Sequence, residues 1–384
     1  MTDQAVELDF KDDYRQTQDL VGVSLVSGDV AELTTKAKAA IDAAHLLFPD
    51  ETALIRRVVT GLLGGHVILA GPPGTGKTTL AKLMATVFDC TFQVETATAD
   101  WSTYDVVGGL QPKITQQGGF QVETIAPWEG HVTRAIVECA STMARNQDDA
   151  ENHPNQAHWL IVDEFNRAEI DRAVGGLYTV LGGGSAESLK LWYEQDPKKA
   201  EVWMPGRFRI IGTLNSVDTS YVYGFSQGLT RRFKYVYVGV PSAAQVSEEI
   251  GRAILQALEW LAATYPDASK EEETKARVEG VAEHLIAIVK LVRYDAEGVP
   301  GWPVGTAQVV DVLRDLALQA RTTDDLVPAL DLAVADLIVP QMMDLTATQL
   351  DRIEAAVTTG PHSEMKRTAA ALSQLREAQN TSFA

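Results

Sequence analysis

The chain lacks the features that would tie it to a membrane, an oxidising compartment or a nucleic-acid surface. No stretch approaches the roughly eighteen consecutive apolar residues that a membrane-spanning helix needs. The opening residues, MTDQAVELDFKDDYRQ, are acidic and hold no apolar core, unlike a secretory signal. Only two cysteines, Cys90 and Cys139, occur in 384 residues. They form no metal-like cluster and no disulfide framework, so a reducing, cytoplasmic setting is expected. Basic residues are outnumbered 33 to 52, a net charge of −19. An acidic surface repels phosphate backbones, so broad nucleic-acid binding by this chain alone is not expected. No internal repeat or low-complexity tract is present. Apolar residues make up 45% of the chain, enough for a real core and against wholesale disorder.

Residues 1–28 are polar and weakly patterned and read as an arm or extended segment. Two amphipathic helices are expected near 30–48 and 51–63, the second capped by Asp50 and stopped by Gly64-Gly65. Strand and helix patterns then alternate, with strands at 66–70, 91–95, 158–163, 207–213 and 233–239, which calls for a parallel α/β sheet covered on both faces. From Pro241 the pattern is helical only, with candidates at 242–264, 270–294, 305–320, 323–340, 347–358 and 362–379. Ser269 and Thr346 are plausible N-caps, and Gln349 completes a capping box with Thr346. The expected organisation is an arm at 1–28, an α/β nucleotide-binding core at 29–240 and a helical region at 241–384. This last part holds 22 acidic and 12 basic residues, about half the excess charge.

The strongest signal is local. Gly71, Pro72, Pro73, Gly74, Thr75, Gly76, Lys77 and Thr78 reproduce the G-x-x-x-x-G-K-[ST] pattern between an apolar strand and a helix, with Thr79 the next residue in line. Glycines let the backbone aim several N–H groups at one polyphosphate, and the helix N-terminus adds favourable partial charge. Lys77 would reach the β- and γ-phosphates, and the Thr78 hydroxyl would hold Mg²⁺. A bare glycine turn has no need of the Lys-Thr pair. About 80 residues on, the strand HWLIVDE ends in Asp163, placed for Mg²⁺, and Glu164, placed to polarise water. A third strand ends in Gly212-Thr213-Leu214-Asn215, whose terminal amide can orient that water or touch the γ-phosphate; a plain turn former is the alternative. Arg231 and Arg232 stand just before the last strand, either as ordinary surface arginines or as a finger donated to a neighbouring subunit; the sequence leaves open which of the two it is.

In this order the motifs resemble an AAA+ ATPase, and more narrowly the dynein-related branch holding the MoxR chaperones and McrB restriction motors. The string Asp163-Glu164-Phe165-Asn166-Arg167-Ala168 is shared by both, while G-T-x-N-S and the doubled arginine before Phe233 look closer to McrB. The resemblance covers about Leu54 to Pro241. It implies a P-loop core with a parallel five-stranded sheet in the order 5-1-4-3-2, a C-terminal all-helical lid, and a homo-oligomer, a hexameric ring with nucleotide at each subunit interface. It places Asn166 and Arg167 near that interface, although Asn166 could instead cap the following helix. It also places hairpins at Trp101–Phe120 and Leu191–Met204, facing the pore or simply packed. Two departures stand out. Asn215-Ser-Val-Asp218 replaces the N-T-A-D of GTP-preferring McrB proteins, which favours ATP. Gln308 occupies the place where a lid helix usually presents a basic sensor.

The function implied is a ring-forming ATPase, with ATP and Mg²⁺ as cofactors, that remodels or translocates a substrate for an effector or adaptor encoded elsewhere. Nucleic-acid contact is expected only through the assembled complex, and no membrane is involved. A MoxR-type chaperone for metal insertion or complex maturation is the alternative. A nucleotide-gated scaffold fits less well, because it has no use for Glu164.

Overall fold

A computed structural model describes residues 10–382 apart from 11, 27, 118–119, 169–172, 174–176, 179, 183–186, 216–225, 266–270, 295–300, 344 and 359–363. The expected cap Ser269, the Gly118-Gly119 turn and Ser216–Asp218 lie outside the described residues. The chain divides into two units, one of residues 1–38, 52–71 and 77–237, the other of residues 39–51, 72–76 and 238–384.

The first unit is built on five parallel strands, β1 His66–Gly71, β2 Cys90–Thr96, β5 Ala157–Asp163, β8 Ile210–Asn215 and β9 Phe233–Tyr237, in the order β2-β5-β8-β1-β9. This is the expected order. Central β1 pairs on both sides, Val67 with Ile211 of β8 and His66 with Phe233 of β9. Val67, Ile68 and Leu69 are wholly buried, as a continuous apolar run in a two-faced sheet requires. The strands match their apolar runs to within one to three residues at each end; the third nucleotide strand spans Ile210–Asn215 rather than 207–213, and buried Arg207 and Arg209 ahead of it donate to the backbone carbonyls of Gln156 and Leu62. Helix α1 spans Val30–Ala43, α2 Glu51–Gly64 and α3 Lys77–Val87. Asp50, expected to cap α2, stands at φ +42°, not in the extended conformation of an N-cap.

Two ribbons interrupt this core. After the short helix α4, Thr103–Val106, strands β3 Gly108–Gln117 and β4 Phe120–Glu129 pair along their whole length. Helix α5, His131–Asp148, follows and lays Ala135, Ile136, Cys139, Ala140 and Met143 inward at helical spacing. The second ribbon pairs β6 Leu189–Lys190 with β7 Glu201–Val202. Both ribbons fall where the resemblance placed hairpins. The N-terminal segment is more ordered than its polar composition implies. Tyr14–Leu20 forms a 3-10 helix burying Tyr14, Thr17 and Leu20; Tyr14 donates to Glu129, and Gly206 N–H donates to Leu20 O at 2.9 Å.

The second unit is helical in its C-terminal part: α7 Val246–Thr264, α8 Glu271–Gly280, α9 Ala282–Arg293, α10 Thr306–Gln319, α11 Val327–Leu337, α12 Ala347–Val357 and α13 Lys366–Ser382. The single helix expected over 270–294 is two, broken after Gly280 at Val281, whose ψ of 2° leaves the helical region. Ile250, Ala253, Ala257 and Leu261 of α7 share a core with Val309, Val312, Leu313 and Leu316 of α10. Leu350, Ile353, Val357 and Leu372 belong to that core, so the terminal helix pair packs within its own unit. Thr346 and Gln349 form the expected capping box. Asp331 of α11 caps α13 by accepting from Arg367 N and Thr368 N, both at 2.8 Å. Glu249 and Arg293 are fully buried and meet at 2.5 and 2.8 Å, with the Thr306 hydroxyl on the same carboxylate at 2.6 Å.

Candidate nucleotide site

The chain turns from β1 to α3 through Gly71–Lys77. Gly74 and Gly76 stand at φ +74° and +80°, a left-handed conformation that glycine adopts without a Cβ clash. The Thr75 hydroxyl donates to Pro72 O at 3.0 Å. Within the second unit, Ala307 N–H donates to Gly74 O at 2.9 Å and the Gln308 amide packs on the Gly74 Cα, where an added methyl would collide with it. Lys77 opens α3, is 6% exposed, and donates from Nζ to Gly71 O at 3.0 Å. Burial lowers its pKa to about 8, against the opposing pull of the Asp163 and Glu164 carboxylates. Thr79, one turn position on, is exposed.

The C-terminal ends of three adjacent strands converge beside this turn. Gly71 of β1 is level with Asn215 of β8, and Asp163 closes β5. Asp163 Oδ1 accepts from the Thr78 hydroxyl at 2.8 Å and also from the Thr213 hydroxyl. Thr213 accepts in turn from Glu164 N–H at 3.1 Å. One threonine therefore fixes both carboxylate-bearing residues. Sequence reading passed over Thr213 in favour of Asn215. The available signal was a hydroxyl, 1% exposed, in an otherwise apolar strand, because a buried polar group needs a partner.

Glu164 stands at φ +53°, a left-handed backbone that costs a non-glycine residue about 1–2 kcal/mol. Arg167 returns one turn later, its Nε 2.6 Å from Oε2 and its Nη2 3.2 Å from Oε1 of Glu164. Asn166 is buried, and its Oδ1 accepts no hydrogen bond from the described residues. The helix it was expected to cap falls on residues outside the described set. Thr78 and Asp163 supply hard oxygen donors side by side, which suits Mg²⁺ completed by phosphate oxygens and water. No cluster of three or more His, Cys, Asp or Glu with metal-holding geometry occurs among the described residues.

Residues 66–233 match the family model of the AAA domain, dynein-related subfamily. The matched segment runs from β1 to the start of β9, the span that carries the five-stranded sheet. Its phosphate loop, strand order and strand-end carboxylates are those just described. Chaperone MoxR1 of Mycobacterium tuberculosis is 26% identical over 227 residues, covering 59% of this chain and 50% of that protein. The chain thus spans about half the length of the curated relative it matches.

The parallel sheet separates the two arginines from the phosphate loop. Short helix α6, Gln227–Thr230, ends at Arg231 and Arg232, and the next residue, Phe233, is level with His66. Gly71 lies five residues along β1 from that level, about 17 Å at the usual strand rise. That exceeds the reach of an arginine side chain. The two arginines also differ. Arg231 is exposed with no partner among the described residues, whereas Arg232 donates from Nη1 to Gly228 O at 2.6 Å and lies 5.3 Å over the Tyr178 ring. The structure therefore brings together Lys77, Thr78, Asp163, Glu164, Arg167 and Asn215, and leaves Arg231 and Arg232 at the other end of the sheet. Among the described residues no helix is long and apolar enough to cross a membrane.

Proposed function

We propose that the chain is an ATP hydrolase that works as a ring of copies and remodels or translocates a substrate on behalf of a partner effector. The observation that carries this reading is the double hydroxyl clamp on Asp163. It holds a metal-binding carboxylate and a water-activating one, Glu164, at fixed spacing beside a buried lysine.

In this reading Lys77 screens the charge of the terminal phosphates, and its desolvated ammonium gains most from them. Thr78 and Asp163 would hold Mg²⁺, which would supply positive charge against the phosphates. Glu164 accepts a proton from a water that Asn215 orients toward the γ-phosphorus, and ADP leaves as the bond to the β-phosphate oxygen breaks. Arg231, exposed and uncommitted, serves the neighbouring copy's γ-phosphate, while Arg232 braces it. Asn166 and Arg167 act at that same seam. Gln308 contacts the nucleotide as a neutral lid sensor. ATP is the preferred fuel over GTP.

The McrB-like motor reading rests on the sequence strings, and the similarity to a MoxR chaperone supports maturation of a protein complex as the second reading. Affinity capture with Glu164→Gln protein held in ATP, followed by mass spectrometry, separates them. A nuclease-like partner supports the motor, and a von Willebrand-type partner supports the chaperone. The hydrolytic core of the proposal is tested by the same variant, which should bind ATP normally and not turn it over; unchanged turnover removes Glu164 from the mechanism.

A further inference from the structure

At the N-terminal end of the sheet, the opposite end from the strand-end carboxylates, the first unit has a half-open cavity of about 400 Å³. That is within the size range of small-molecule sites. Three guanidiniums line it, from Arg209, Arg231 and Arg232, against one carboxylate, Glu187. Among the described residues no ion pair joins Glu187 to any of them. Arg209 is buried, and its N–H groups go to carbonyls: Leu62 at 2.5 Å, Phe208 at 2.8 Å and Gly206 at 2.9 Å. Carbonyl dipoles hold the cation in place without cancelling its charge. His66, also on the lining, adds no negative charge: its Nδ1 accepts from Ile210 N–H at 3.0 Å, and burial pushes its pKa down to about 3, so it is neutral.

Arg232 supplies the second observation. Its Nη1 and its ring face are committed to Gly228 and Tyr178, yet its Nε is buried with no acceptor among the described residues. A buried donor left unmade is costly, so among the described residues the site has room for a further acceptor. Arg231 on the same lining is likewise uncommitted. Guanidiniums converging on one cavity favour a group that is anionic and carries several acceptor oxygens.

We propose that this basal cavity binds a small oxyanion, a phosphate or carboxylate group, at a site separate from the phosphate loop. Met204 and Phe208 on the lining are apolar and can accommodate the small body that carries the group.

The test uses the full-length Lys77→Ala protein, whose phosphate loop is disabled, at a dilution where light scattering shows single copies. Calorimetric titration with inorganic phosphate, and separately with acetate, should show one site per chain for at least one of them. Arg232→Gln in that background should weaken binding about tenfold or more, the loss of a charged hydrogen-bonding partner. Arg231→Ala should weaken it severalfold with the thermal unfolding midpoint unchanged, because Arg231 is exposed, so that loss cannot be misfolding. Absence of binding to Lys77→Ala overturns the proposal, as does equal binding in both arginine variants. Binding that appears only after copies loaded with ATPγS are added overturns it too, since the acceptor would then be a neighbour's nucleotide. Hydrolysis by the unmodified protein is read separately, so failure here leaves the ATPase reading untouched.

Discussion

Glu164 and Arg167 are joined at two points, Nε to Oε2 at 2.6 Å and Nη2 to Oε1 at 3.2 Å, across a left-handed residue at φ +53°. The carboxylate is thus aimed by a guanidinium three residues away rather than by its own backbone preference. Arg167 is mostly exposed, so the pair contributes little to stability, and its consequence lies in orientation.

Arg167→Ala should therefore leave folding and nucleotide affinity unchanged while turnover falls about 10- to 100-fold, the scale set by a misplaced catalytic group. Steady-state hydrolysis and a fluorescent-nucleotide titration check the two halves. Turnover equal to the parent protein would show that Glu164 needs no such aim.

Thr213→Val keeps the shape and removes the hydroxyl that joins Asp163 to the Glu164 backbone. Leaving the Glu164 N–H unpaired should cost about 1–3 kcal/mol in denaturant unfolding, and hydrolysis should drop with it. Thr213→Ser should restore both. If valine and serine behave alike, the hydroxyl bridge has no role.

Lys77 makes binding pH-dependent. Its pKa of about 8 in the folded, nucleotide-free chain lies below the ordinary 10.5. Between those values the unfolded chain holds more protons at this group, so its contribution to stability rises with pH across the window. Below pH 8 both states are charged and the burial penalty is present in full. Phosphates favour the charged form, so nucleotide binding should take up protons near pH 8 and above, and affinity should fall as pH rises through 8. Calorimetry in buffers of different ionisation enthalpy measures the uptake, and Lys77→Met should abolish it. A flat affinity from pH 7 to 9.5 would contradict the assignment.

The phosphate loop and the strand-end acids were legible in the sequence because their chemistry is carried by neighbours along the chain, and the apolar runs between them set the strands. Contacts between distant residues were not legible. Nothing local marks Thr213 as the partner of Asp163, or Tyr178 as the surface under Arg232. The break at Val281 was missed because apolar periodicity continues through it: Val278 and Leu285 are both buried on either side. The order in the N-terminal segment was missed because the apolar residues it buries, Phe10, Tyr14 and Leu20, are too widely spaced to read as an element.

The pair Glu249–Arg293 sits in the helical unit with no exposed surface. Glu249→Gln or Arg293→Met should each destabilise that unit by about 3–5 kcal/mol, since either strands a buried charge. The double replacement Glu249→Gln/Arg293→Met should cost clearly less than the sum. Urea unfolding followed by circular dichroism measures all three, and strict additivity would deny the coupling.

The central claim is that two copies share one reaction, with Arg231 acting about 17 Å from its own phosphate loop by the strand rise. Mixing inactive Arg231→Ala/Arg232→Ala subunits with inactive Lys77→Ala subunits tests it most directly. Hybrid interfaces pairing an intact loop with an intact arginine should recover part of the hydrolysis, rising and falling with the mixing ratio. No recovery at any ratio, with mixed assemblies confirmed by mass, would contradict the account.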